Sequence, residues 1–263
     1  MFAGIPQLPS DHAFGDLPPA PTEPAGTNPW VVMLVVVAAI VLMLLACSGI
    51  LLALLLPAIT TTREIVRVEA ARNQMKQIGL AMHNYHSTYG QLPPAFTTDP
   101  RGEPTNSWRL MLMPFLDEPM RLEQWHLQQP WDSEVNAGLG TPAPGVYTSP
   151  LVQNPPTPTE THIFAVRHPD SVMPGADGLN WADISDRLPD TILAAYLPEH
   201  TTHWAAPVDI SLERLQDELA NATQDSPIIL LFADGSVRLI DEPLQPELVE
   251  SLVTRSGHET IGL

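Results

Sequence analysis

His83 and His86 stand three residues apart in a stretch of helical pattern, a spacing that turns both imidazoles to one side of a helix and would supply two ligands to a zinc-type ion. Such a site needs at least one more ligand, and no clear third follows nearby. The pair lies where the helix is about to end, so packing is the reading adopted. Glu199, His200 and His203 form a second cluster. Its HxxH lacks the helix and the added carboxylate that make a metalloprotease signature, and a proline-rich loop with exposed histidines explains it. Asp234 would suit catalysis or calcium, yet beside Gly235 and between two apolar runs it sits where a hairpin turn requires these residue types. Trp125, Trp131, Trp181 and Trp204 would line a ligand groove or fill a core, and in a loop-rich domain core filling is the commoner use. No Walker loop, nucleophile elbow, zinc-protease helix or dinucleotide fingerprint occurs. No catalytic, cofactor-binding or metal residue is therefore assigned, and the expectation is a protein that is not an enzyme.

The elements that must carry these residues begin with an apolar run, WVVMLVVVAAIVLMLLACSGILLALLL, at residues 30–56. As a helix it spans roughly 40 Å at about 1.5 Å per residue, enough to cross a bilayer with some tilt. It is too long for a signal h-region, and no basic n-region precedes it. Leu44, Leu45, Ala46 and Cys47 look like a lipobox, but residues 48–56 stay apolar, so Cys47 reads as a small membrane-embedded residue. It is the only cysteine of the chain and has no disulfide partner within it. Residues 1–29 are rich in proline and small or polar residues and read as a disordered tail.

Beyond Pro57 the helical signal resumes. Val68, Ala71, Met75, Ile78, Met82, Tyr85 and Tyr89 recur at spacings of three and four, one face of a stalk helix over residues 57–90. Gly90 supplies the stop, and Pro93 and Pro94 prevent resumption. Pro57 removes a backbone donor, so a kink is expected there. The stripe is expected to pack on the stalk's own domain rather than on a coiled-coil partner.

Residues 91–263 form one acidic domain, with 25 acidic and 8 basic side chains against −18 for the whole chain. Such a surface repels phosphate backbones, and with Lys76 as the sole lysine nucleic-acid binding is excluded as a class. The 29 prolines point to short elements. These include a broken apolar run at 108–116, another at 120–127, strands near 162–166 and 191–197, and a helix at 212–220 capped by Ser211. PIILLFADGSVRLI reads as a hairpin, and residues 246–254 as a closing helix. The fold class is α+β: a long N-terminal transmembrane-plus-stalk helix packed on a small antiparallel sheet with many loops.

LLALLLPA, ARNQMKQIGLAMHNYHSTYGQLPPA, SWRLMLMPFLDE, PWDSEVN, WADISDRLPDTIL, HWAAPVDI and FADGSVRLI fall in order along the chain. Together they resemble the prepilin-like proteins abundant in planctomycetes, domain-of-unknown-function family 1559. The resemblance implies a pilin-like fold related to type II secretion pseudopilins. Typical members carry a short basic leader and a glycine-phenylalanine-threonine-leucine-x-glutamate motif, which prepilin peptidase cuts after the glycine and whose glutamate serves assembly. Placing Pro57 on the family's proline sets Val35 at the glycine and Ile40 at the glutamate, both wrong for those roles. A permanently anchored, unprocessed relative is expected.

Topology is read two ways. Residues 1–29 hold no Lys or Arg while Arg63, Arg67, Arg72 and Lys76 follow the span, which by the positive-inside rule puts the domain in the cytoplasm. The pilin comparison implies an extracytoplasmic domain and is given more weight, because the family's own stalk is similarly basic. The leading expectation is a non-enzymatic, single-pass membrane protein that presents its acidic domain for interaction near secretion or envelope assembly. Its partners would be the lipid bilayer and other envelope or secretion proteins, with no cofactor. The alternatives are an envelope binding protein for a small ligand or divalent cation, motivated by the acidic surface and the two histidine pairs, and an envelope hydrolase.

Overall fold

A computed structural model describes residues 26, 28–116, 119–152 and 157–257; the side chains of 52–63 and 119–120 stand outside that description. The tail expected over residues 1–29 therefore falls almost wholly outside the described residues. The chain divides into two compact units between Ile59 and Thr60.

In the first unit α1 (Pro29–Tyr89) begins where Asn28 offers its side-chain oxygen to the Trp30 N–H at 3.2 Å, with Pro29 at the first helical position, where its missing donor costs nothing. Residues Pro29–Leu51 make a stretch of 23 long and apolar enough to cross a membrane. Large apolar side chains along it, from Trp30 to Leu51, are exposed. The helix runs through Pro57. The bend expected at Pro57 falls among the residues whose side chains are not described.

The second unit begins with the remainder of α1. Ala71, Met75, Ile78, Ala81 and Met82 are fully buried against the unit's own core, while Tyr85 and Tyr89 close on Phe115 at ring separations of 5.8 and 6.0 Å. The middle of the stripe predicted from its spacing, Ala71 to Met82, is thus the face the stalk buries within its own domain, while Val68 and Tyr85 are half-buried and Tyr89 is exposed.

After the stalk come β1 (Phe96–Thr98), β2 (Pro104–Ser107), α2 (Trp108–Met111) and α3 (Pro119–Gln124). Next are β3 (Glu160–Thr161), β4 (Ile163–Arg167), β5 (Ile192–Tyr196), β6 (Thr202–His203), β7 (Ile210–Ser211) and α4 (Leu212–Ala220). β8 (Ile228–Phe232), β9 (Val237–Ile240) and α5 (Pro246–Val253) complete the described order. The main sheet runs β7-β4-β5-β8-β9 and is antiparallel except for the two-residue β7, which pairs parallel to β4 before entering α4.

Each side of this sheet carries its own core. Side chains alternate along a strand, so Ile229 and Leu231 join the stalk-side core while Ile228, Leu230 and Phe232 join the other. The second core is closed by Leu212, Leu215 and Leu219 of α4 and by Val249, Leu252 and Val253 of α5. Burial on both faces is why β8 reads as an uninterrupted apolar run instead of an alternating one. A bulge between Ile192 and Ala194 in β5 breaks the alternation and puts both Leu193 and Ala194 in the stalk-side core. α4 is capped by Ser211, whose hydroxyl accepts the Arg214 N–H at 3.3 Å.

Candidate functional site

At the end of the stalk the fold gathers His83, His86, Trp181 and the β8–β9 turn. The turn can come this close because α1 carries glycine there: a Cβ at Gly79 would lie 2.9 Å from Leu231 Cδ1 and 3.4 Å from Gly235 Cα. Gly235 takes a φ of +83°, the left-handed region that favours glycine, and Asp234 accepts the Ser236 N–H at 2.8 Å. Both residues therefore serve the turn, as their types predicted.

One helical turn beyond Gly79, His83 stacks on Trp181 with centroids 4.8 Å apart, and its Nε2 faces Gly235, buried without a hydrogen-bond partner. His86 meets the same indole at 5.5 Å, and its Nε2 accepts the Trp181 backbone N–H at 3.5 Å. The two imidazoles thus bracket one tryptophan, and the lone pair of His86 is already engaged. Gly90, with a φ of +76°, ends the helix by donating to the His86 carbonyl at 2.8 Å. Its own carbonyl accepts from Asn180 Nδ2 at 2.6 Å, which ties the Trp181 loop to the stalk.

The second histidine pair is split. His200 Nε2 lies 2.6 Å from Glu218 on α4, and that carboxylate also lies 3.9 Å from Arg214. His203 turns the other way, packing on Trp131 at 4.4 Å and against Gly140, with Nδ1 accepting the Ala205 N–H at 3.2 Å. Burial holds its basicity below the usual range, with Asp132 restoring part. Among the described residues no three His, Cys, Asp or Glu side chains converge as a metal site requires.

Nor do the tryptophans form one groove. Trp204 is fully buried, donates to the Gly140 carbonyl at 2.8 Å and stacks on Tyr147 at 5.9 Å. Trp125 is buried against it at 5.7 Å and donates to Asn106 at 2.8 Å, whereas Trp181 stands apart with the stalk histidines.

Sequence reasoning missed the most polar feature of the interior. The side chains of Arg109 and Asp209 are both completely buried and paired at 2.9 Å. The guanidinium also donates to the Ile163 carbonyl from Nε and Nη2 at 2.8 and 2.6 Å, and to Ser107 at 2.7 Å. Asp209 Oδ1 accepts in addition from Trp108 Nε1 at 3.1 Å and from the Ala165 N–H at 2.9 Å. Burial lowers the basicity of Arg109, and the Asp209 charge restores part of it. Tyr147, its hydroxyl on the Arg109 carbonyl at 2.8 Å, is pushed far above its ordinary range by the same burial. The available signal was a lone arginine inside the apolar run at 108–116. Chemically the pair is sealed: it joins β2, α2, β4 and the segment before β7, and reaches no solvent from which a substrate would come.

The outward-facing concavities of the second unit include these two. One, of about 370 Å³, lies among Gln77, Leu80, Met113, Phe115, Leu116 and Val146. The other, of about 470 Å³, is lined by Asp170, Glu247, Glu250 and small polar residues near the end of α5. A family model described as a protein of unknown function, DUF1559, matches residues 60–205, from the first residue of the second unit to the residue after Trp204. No curated protein matches the chain, and no solved structure does.

Proposed function

The chain belongs to the DUF1559 family of proteins of unknown function, and on that premise we propose a non-enzymatic, single-pass membrane-anchored protein. In this reading it presents an acidic, pseudopilin-like domain for interaction in secretion or envelope assembly. One observation carries the proposal: α1 is exposed and apolar over its first 23 residues and then buries a stripe from Ala71 to Met82 in the core of the second unit. The same helix thus supplies both an apolar segment able to cross a membrane and a core element of the second unit. Val35 and Ile40, standing where a processed pilin has glycine and glutamate, support permanent anchorage, and the pilin resemblance supports an extracytoplasmic domain.

The test is N-terminal sequencing of the membrane-bound protein together with protease access to a C-terminal tag in intact and opened cells. The expected result is an uncut segment across Val35 and Val36 and a tag reachable from outside. A chain starting at Val36 would overturn permanent anchorage. A tag protected until the cells are opened would overturn the extracytoplasmic placement.

A further inference from the structure

We draw no further inference here: the strongest candidate, the concavity of about 370 Å³ beside the exposed Leu80 of the stalk, lined by Gln77, Met113, Phe115, Leu116 and Val146, carries nothing because nothing in the structure shows what covers it.

Discussion

Gly235 rests in a notch that Gly79 leaves in the stalk, its Cα 3.4 Å from where a Cβ at Gly79 would stand. Alanine at Gly79 gains up to about 1 kcal/mol of helix propensity but must displace Leu231, which is fully buried, at an overpacking cost of about 1–3 kcal/mol. Gly79→Ala is expected to lower stability by about 1 kcal/mol and Gly79→Val by more, read from denaturant midpoints of the detergent-solubilised protein. A stabilised Gly79→Val protein would show that the hairpin does not dock here.

Arg109 and Asp209 depend on each other. Removing one partner leaves a buried charge uncompensated, which costs about 3–5 kcal/mol. Arg109→Met and Asp209→Leu should each destabilise on that scale, while the double variant should lose clearly less than the sum. Strict additivity in the cycle would rule out the coupling.

Acid should weaken the fold through two histidines. Burial lowers the basicity of both His162 and His203 in the folded chain. Below about pH 6.5, the ordinary histidine value, the unfolded chain therefore binds more protons. The stability these groups contribute is full above that pH and is lost as pH falls through it towards their lowered folded values. Unfolding midpoints should drop between pH 7.5 and pH 5, and His203→Gln should flatten the drop. An unchanged slope in that variant would remove His203 from the account.

For the anchor, charge placed in the middle of the apolar segment is the direct probe. Leu42 and Leu45 are exposed on α1, and arginine costs about 2.5–3.5 kcal/mol at the centre of a membrane helix. The double substitution Leu42→Arg with Leu45→Arg should release protein into the alkaline-extractable fraction. Full retention in the pellet would argue against a spanning role for this segment.

Features set by near neighbours were legible in the sequence. The apolar helix, the Ala71 to Met82 stripe, the Ser211 cap and the β8–β9 hairpin all rest on period, composition or turn chemistry within a few residues. The same locality made Gly90, Asp234 and Gly235 recognisable as backbone devices, because each serves a conformation its own segment adopts. Short strands such as β1 and β7 were not legible: two or three residues carry no period, and their pairing is decided by partners far along the chain.

Only the tertiary structure decided what the chemically capable residues do. His200 and His203, three apart, point to α4 and to the aromatic core respectively, whereas His83 and Gly235, far apart in sequence, meet at the stalk. Arg109 and Asp209 are separated by a hundred positions, and spacing says nothing of their pairing. By itself the sequence determined an apolar helix able to span a bilayer, a stalk face and an α+β class, because these follow from local hydrophobic pattern. Which polar groups are sealed, shared or left without a partner followed from packing, because burial and pairing depend on every segment that closes over a side chain.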